Sequence, residues 1–260
     1  MIDFYGENPM DEGKMRKIFF EIHEGLPREG PGSFESTQKA YSMLSNLPAD
    51  PKILDIGCGP GMQTLDLSRL TNGSIISIDN HPTFLEVLRK KVVQNGLSDR
   101  IFVQEGDMFN LHFEEKSFDV IWAEGSIYII GFERGLREWK PLLKSGGYLA
   151  VTEVSWLKPD APAEIKKFWE ENYPAMHDID SNLKILQGAG YHPVGHFTIP
   201  ESSWWDDYYN PIEKKLVTLC EKYKNDDQAL QILKIEQQEI DYFREYAEFY
   251  GYVFYIAQVH

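Results

Sequence analysis

The sequence has only two cysteines, no long hydrophobic run and no excess of positive charge. Cys58 and Cys220 lie far apart and lack the spacing of a metal site, which favours a reducing, cytoplasmic compartment and no bound metal. No stretch approaches the roughly 18 uninterrupted apolar residues that a membrane helix needs, and residues 1–17 lack the pattern of a secretory signal. Lysine and arginine number 26 against 41 acidic residues, and the resulting net charge of −15 repels nucleic acid and anionic lipid. We therefore expect a soluble, globular protein without a nucleic-acid partner.

The length of 260 residues suits one large α/β domain with an insertion. The apolar fraction of 42% is enough to build a substantial core. Residues 1–50 are predicted to form a helical cap, and 51–200 alternate short β-rich runs with helix-length segments. Two charged amphipathic helices follow within 201–248, and 249–260 are predicted to form a final buried strand. Alternating strands and helices are typical of a parallel sheet with crossover helices.

A glycine-rich turn follows the first predicted strand, in the sequence Asp55-Ile56-Gly57-Cys58-Gly59-Pro60-Gly61-Met62. Glycines at alternate positions allow the backbone to approach a ligand more closely than any Cβ atom would permit. The dinucleotide fingerprint G-x-G-x-x-G needs its third glycine where Met62 stands. This spacing argues against NAD or FAD as the ligand.

The turn resembles the first motif of the class I S-adenosylmethionine-dependent methyltransferases. Four further segments resemble the motifs of that family in the same order, so that the resemblance extends over about residues 51–156. They are 77–80, 105–108, 117–121 and 142–149. The resemblance implies a Rossmann-like, doubly wound sheet of seven strands, mostly parallel with an antiparallel last strand. The helical N-terminal cap and the helical insertion before the last strand would then be additions to this sheet.

The resemblance also implies a cofactor, S-adenosylmethionine, and a role for each motif. Asp79 would pair with the ribose hydroxyls, or alternatively cap the following helix. Asp107 would accept from the adenine amino group, or alternatively cap a turn. Asp55 would order the loop and reach the ammonium of the cofactor through water, whereas Cys58 would only be a small side chain in a crowded turn. The expected cofactor-binding residues are Asp55, Gly57, Cys58, Gly59, Gly61, Asp79, Asn80, Gly106, Asp107, Met108, Ala123 and Glu124.

The methyl group of the cofactor is already activated, so the protein has mainly to align the acceptor with it and to exclude water from the site. The acceptor must attack in line with the methyl–sulfur bond, and a protonated acceptor needs a base within hydrogen-bond reach. Glu124 would bind the ammonium of the cofactor or act on substrate, or alternatively stand in solvent. The catalytic candidates are His177 as a base and Tyr128 as an orienting group, with a surface histidine and a packing tyrosine as the alternatives.

The acceptor pocket is expected beneath the cap and the insertion, as in related small-molecule methyltransferases. Its aromatic candidates suit a flat, apolar or cationic acceptor, or alternatively anchor the extra helices. The helices expected at 211–224 and 227–246 would form a lid or a homodimer surface. The substrate candidates are Tyr5, Thr37, Tyr41, Trp156, Trp204, Trp205, Tyr208 and Tyr209.

Within the superfamily, the motifs resemble the ubiquinone/menaquinone-biosynthesis methyltransferase-like group, which implies an aromatic or quinone-like acceptor. Residues 122–125 read Trp-Ala-Glu-Gly and depart from that group, which favours the broader description of a small-molecule methyltransferase. The net charge of −15 weighs against anionic acceptors and leaves neutral, aromatic or cationic molecules. The alternatives are a non-catalytic S-adenosylmethionine-binding protein and an NAD-dependent oxidoreductase.

Overall fold

The computed structural model describes residues 12–260, which form one mixed sheet with helices on both faces. The strands are β1 Lys52–Ile56, β2 Ser74–Asp79, β3 Ile101–Glu105, β4 Phe118–Ala123, β5 Leu143–Trp156, β6 His177–Asp178, β7 His192–Thr198 and β8 Tyr250–Gln258. The helices are α1 Glu12–His23, α2 Phe34–Ser42, α3 Met62–Leu70, α4 Pro82–Gln94, α5 Ile127–Ile130, α6 Phe132–Trp139, α7 Ala163–Asn172, α8 Ile179–Gly188, α9 Ser202–Trp204, α10 Asn210–Lys222 and α11 Asp227–Tyr246. A 3-10 turn at Lys140–Leu142 precedes β5, and a π-helical turn at Trp205–Tyr209 joins α9 to α10.

The sheet has the strand order β3-β2-β1-β4-β5-β8-β7. Strands β1 to β5 pair in parallel, and β8 lies antiparallel between β5 and β7. The fold expected from the motifs, a mostly parallel Rossmann-like sheet with an antiparallel last strand, is confirmed. The difference is an eighth strand, β6, of only two residues, which pairs with the end of β5.

Alternation along the strands divides the core into two layers, because successive side chains of a strand point to opposite faces. In β1, Ile53 packs with one buried cluster, whereas Leu54 and Ile56 pack with the other. The first cluster includes apolar residues of α1, α10 and α11, and the second includes residues of α5, α6 and α8. The N-terminal helix and the late helices therefore cover the same face of the sheet.

Helix α1 is fixed to the late helices by polar contacts. The Lys14 ammonium lies 2.6 Å from the Asp226 carboxylate at the start of α11, and the Tyr223 hydroxyl donates to Glu21 over 2.7 Å. Asp226 also caps α11 by accepting from the amide of Ala229. The division into a 1–50 cap, a 51–200 core, a 201–248 insertion and a 249–260 strand stays a prediction. Within residues 12–260, no helix combines the length and apolar character that a bilayer crossing requires.

The order of the strands reverses at β1, which lies between β2 and β4 although they follow it in the chain. Open α/β sheets bind their ligands beyond the carboxyl ends of the strands at such a reversal, because the crossover helices there leave on opposite faces. The glycine turn follows β1 directly, so the fold places it at this reversal.

Candidate active site

A cavity of about 380 Å³ opens beyond the carboxyl ends of β1 to β4. One side is formed by the turns that follow these strands, and the other by α1, the loop after α1, the π-helical turn and α11. Among its lining residues are Gly57, Gly59, Asp79, Asn80, Gly106, Met108, Tyr128, Trp204 and Tyr208, all of which were expected to bind cofactor or acceptor.

The first two glycines of the turn form the floor of the cavity. Gly57 has φ +74°, and a Cβ atom there would lie 2.5 Å from Cβ of Ser126. Gly59 has φ +51°, and its amide donates to Oδ2 of Asp79 over 2.8 Å. Both positions require glycine, because side chains disfavour positive φ and would fill the space over the turn.

The third glycine has a different role. Gly61 has φ +83° and begins α3, and a Cβ atom there would lie 2.1 Å from Cδ1 of Leu88 in α4. It does not line the cavity. Its missing side chain makes room for packing between α3 and α4 rather than for a ligand.

Asp79 ends β2 and presents its carboxylate to the cavity. Oδ2 accepts from the Gly59 amide and Oδ1 from the His81 amide, each over 2.8 Å. Burial raises the pKa of this carboxyl group, and the two amide donors act in the opposite direction. A carboxylate accepts about four hydrogen bonds, so Asp79 retains acceptor capacity for a pair of ligand hydroxyls.

Asp55 and Cys58 lie beneath the cavity and are buried. Oδ2 of Asp55 accepts from the Thr64 hydroxyl over 2.5 Å, whereas Oδ1 has no hydrogen-bond partner among residues 12–260. Burial raises the pKa of Asp55 to about 7 and that of the Cys58 thiol above its usual range. The Cys58 thiol is therefore unreactive, because thiolate is the reactive form.

The turn after β3 presents Gly106 and Met108 to the cavity, whereas Asp107 is exposed. Oδ1 of Asp107 accepts from the amide of Phe109 over 3.0 Å, which is the turn-capping contact named as its alternative role. The adenine role of Asp107 stays a prediction.

Glu124 follows β4 and is buried in contacts with the protein itself. Oε2 accepts from Arg28 over 2.5 Å, and Oε1 accepts from the Thr37 hydroxyl and the Trp122 indole over 2.7 and 2.8 Å. Neither Glu124, Thr37 nor Ala123 lines the cavity. The structure thus places Glu124 and Thr37 in a connection between the N-terminal helices and the sheet.

Several other candidates lie away from this cavity. His177 is an exposed residue of β6, and Trp156 lines a separate, more open cavity of about 860 Å³. Tyr41 is half-buried in the core, and Trp205 and Tyr209 stand behind the residues that line the cavity. Tyr5 lies outside the described residues.

The titratable residues that line the cavity and that the sequence did not reveal include His23, Glu29, Glu236 and Glu239. Glu236 and Glu239 lie one turn apart on α11, in the stripe that also holds the buried Ile232, Ile240 and Phe243. A signal was present, because acids that share the stripe of the core residues in an amphipathic helix must face the interior.

Burial shifts the pKa of each of these groups. Removal from water raises the pKa of Glu29 to about 9, of Glu236 to about 8 and of Glu239 to about 7, and nearby acids add to the shifts of Glu29 and Glu236. Burial lowers the pKa of His23 to about 3, so its ring is neutral. The cavity therefore disfavours charge in its own walls until an opposite charge enters.

The known proteins that this chain resembles include methyltransferases. A family model described as a methyltransferase domain matches residues 53–147. Over 159 residues the chain is 34% identical to methyltransferase GfsG of Streptomyces halstedii, covering 59% of this chain and 57% of that protein. It is 28% identical to sterol 24-C-methyltransferase ERG6 of Saccharomyces cerevisiae over 170 residues, or 62% of this chain and 44% of that one. The matches thus span less than two thirds of either relative.

A solved structure shares the whole architecture. The S-adenosylmethionine-dependent methyltransferase of Geobacter sulfurreducens, in complex with S-adenosylhomocysteine, superposes with a TM-score of 0.79 at 17% identity, over 94% of this chain and 98% of that one. Residues 53–147 therefore match a methyltransferase domain, and the chain shares the fold of this S-adenosylmethionine-dependent methyltransferase.

Proposed function

We propose that this protein transfers the methyl group of S-adenosylmethionine to a small-molecule acceptor by in-line displacement. The observation that carries the proposal is a single cavity in which the glycine turn and Asp79 face an aromatic wall built from the late elements. The net charge of −15 makes a nucleic acid an unfavourable partner.

The residues of the glycine side fit the cofactor. Gly57 and Gly59 leave open the space that a Cβ atom would fill, and Asp79 offers a carboxylate to a ribose diol. Asn80, Gly106 and Met108 line the same region and would hold the adenosine. When bound there, S-adenosylmethionine supplies a sulfonium-activated methyl group, so the protein needs chiefly to orient the acceptor and exclude water.

The aromatic side fits a flat or apolar portion of the acceptor. Its walls include Tyr128, Trp169, Trp204, Tyr208 and Tyr252, and the Trp204 and Tyr252 rings lie 4.9 Å apart between centroids. Large rings bury apolar area and also attract cations over their faces. Aromatic and quinone-like molecules are acceptors of suitable shape.

Tyr128 is the orienting residue of this proposal. Burial and nearby acids raise the pKa of its hydroxyl, which therefore stays protonated and donates a hydrogen bond to the acceptor. We do not assign the base to His177, because its exposed position in β6 is outside the cavity.

A methyl-transfer assay tests the proposal. The intact protein is incubated with methyl-labelled S-adenosylmethionine and a metabolite extract, and products are separated by mass spectrometry. We expect a labelled small molecule to form with the protein, and to form more slowly with its Asp79→Ala variant at a cofactor concentration that does not saturate the variant. Binding of S-adenosylhomocysteine without any label transfer would favour a non-catalytic binding protein, and binding of NAD(H) instead would favour an oxidoreductase.

A further inference from the structure

Three carboxylates line the cavity on the side formed by the N-terminal loop and α11, and Glu29 among them lies over Gly59 of the glycine turn. Glu236 and Glu239 come from α11, and Glu29 comes from the loop between α1 and α2. Within residues 12–260, the ion pairs formed by lysines and arginines include none of these three acids. The Arg16 side chain also lines the cavity, where it lies over the ring of Phe20 at 5.6 Å.

His23 gives a second and independent observation. It is only 2% exposed and lines the cavity, yet neither ring nitrogen has a hydrogen-bond partner in the described protein. Nδ1 lies 3.2 Å from Oε2 of Glu29, and Nε2 lies 3.8 Å from Oε1 of Glu236, without hydrogen-bonding geometry. Buried polar groups are almost always paired, so this unpaired imidazole indicates a ligand that forms a hydrogen bond with it.

The aromatic rings complete the surroundings of the acids. Tyr208 lies beside His23, with ring centroids 6.0 Å apart, and the hydroxyl of the adjacent Tyr209 donates to Glu239 over 2.9 Å. Trp204 lines the same region. Carboxylates together with the faces of tyrosine and tryptophan form the environment that stabilises an organic ammonium.

We propose that the methyl acceptor is a small amine, whose cationic nitrogen binds between Glu236 and Glu239 of α11 against the rings of Trp204 and Tyr208. The inference rests on the proposed function and specifies its substrate class. His23, as a neutral acceptor, binds a further N–H group of the ligand. A cationic nitrogen supplies the counter-charge beside which these buried acids ionise, and a neutral or anionic acceptor does not.

The step balances without a further reactant. The ammonium nitrogen gives one proton to the Glu236–Glu239 pair, and its freed lone pair forms the bond to the methyl carbon. The methyl–sulfur bond breaks with its electrons remaining on sulfur, so that the products are an N-methylammonium ion and S-adenosylhomocysteine. The carboxyl group that took the proton releases it to solvent.

Calorimetric titration of the full chain tests the proposal through binding alone. The protein saturated with S-adenosylhomocysteine is titrated at pH 8 with phenethylammonium chloride and separately with phenethyl alcohol, which differ in the cationic group. We expect the ammonium to bind at least tenfold more tightly than the alcohol. Equal binding of the two, or binding of neither, would overturn the proposal.

Isosteric variants test whether Glu236 and Glu239 are the residues that bind the ammonium group. Glu236→Gln and Glu239→Gln should each weaken ammonium binding at least tenfold and leave alcohol binding within twofold. The matched control is Glu245→Gln, which removes an exposed acid from the same helix and should change neither affinity. Unchanged ammonium binding in both Glu236→Gln and Glu239→Gln would also overturn the proposal.

The same titration separates this inference from the proposed function. Binding of S-adenosylhomocysteine within twofold of wild type in both glutamine variants shows that the fold and the cofactor site are intact. Label transfer to a neutral carbon or hydroxyl acceptor would preserve the methyltransferase proposal and overturn the amine. Absence of S-adenosylhomocysteine binding by the wild-type protein would contradict the proposed function, and this inference would fall with it.

Discussion

At the scale of single residues, the glycine turn after β1 performs two tasks. Gly57 and Gly59 clear the floor of the cavity, whereas Gly61 clears space for Leu88 of the neighbouring helix. The spacing of the three glycines is visible in the sequence, but their division of roles depends on what packs against each one. Only the three-dimensional structure shows that contact.

Gly61→Ala should lower the free energy of unfolding by about 2–4 kcal/mol, because it combines a clash with Leu88 and a left-handed backbone. Urea denaturation measures the change. The matched control is Gly188→Ala at the exposed end of α8, where a Cβ atom meets nothing within 4 Å. The control should raise stability by up to about 1 kcal/mol. Equal effects of the two substitutions would contradict the packing role of Gly61.

Asp79→Ala should weaken binding of S-adenosylhomocysteine by about 1–3 kcal/mol, or roughly 5- to 150-fold, because ligand hydroxyls would lose their acceptor. The turn would also lose the acceptor of the Gly59 amide. Calorimetric titration measures the affinity, with Asp99→Ala as a control at an exposed acid after α4. Unchanged affinity in Asp79→Ala would show that the cofactor lies elsewhere.

At the scale of secondary-structure elements, the loop between α1 and α2 is tied to the end of β4 by a buried ion pair. Arg28 contacts Glu124 over 2.5 Å and Asp66 of α3 over 3.5 Å, and Gly32 allows the guanidinium to lie against the loop. Because the same loop supplies Glu29 to the cavity, this ion pair positions one wall of the candidate active site.

Arg28→Met should lower the free energy of unfolding by about 3–5 kcal/mol, since it leaves the Glu124 carboxylate buried without its counter-charge. Chemical denaturation of the single variants and of the Arg28→Met/Glu124→Gln double variant gives the coupling between the two residues. We expect the double variant to lose less stability than the sum of the single losses. Additive losses would show that the two residues act independently.

The elements differ in how far the sequence predicted them. The strand alternation and the glycine turn are local patterns, so the sequence alone predicted the alternating strands and helices of 51–200 and the turn after the first strand. The Arg28–Glu124 pair spans 96 residues of sequence and has no local signature. The charged amphipathic pattern of 227–246 predicted a lid or a homodimer surface without indicating which side chains face the cavity, and packing against α1 turns Glu236 and Glu239 inward.

At the scale of the whole molecule, burial of acids links stability to pH. A carboxyl group with a raised pKa stays protonated in the folded state at pH values where the unfolded chain has already lost the proton. The folded state then loses stability as the pH rises above the unfolded pKa, by about 1.4 kcal/mol per pH unit for each extra proton it holds. The groups concerned, with pKa values raised to between about 7 and about 9, are Glu29, Asp55, Glu153, Glu236 and Glu239.

His23 acts in the opposite direction at lower pH. Its pKa is lowered to about 3, so below pH 6.5 the unfolded state gains a proton that the folded state does not accept, and stability is lost as the pH falls. Between pH 5 and 8, the stability that the five acids lose as the pH rises is larger than the stability that His23 contributes over the same range. We therefore expect the urea midpoint to fall from pH 5 to pH 8, and Glu236→Gln to reduce the slope. A midpoint that rises over this range would contradict the burial of these acids.

The structure of the protein with S-adenosylhomocysteine bound is the most direct test of the account. It should place the ribose against Asp79 and direct the sulfur toward the end of the cavity that Tyr128, Tyr208 and Glu239 line. That arrangement would set the transferable methyl group of the cofactor beside the aromatic and acidic wall proposed for the acceptor. A ligand bound in the cavity beside Trp156, or one whose sulfur faces away from α11, would contradict it.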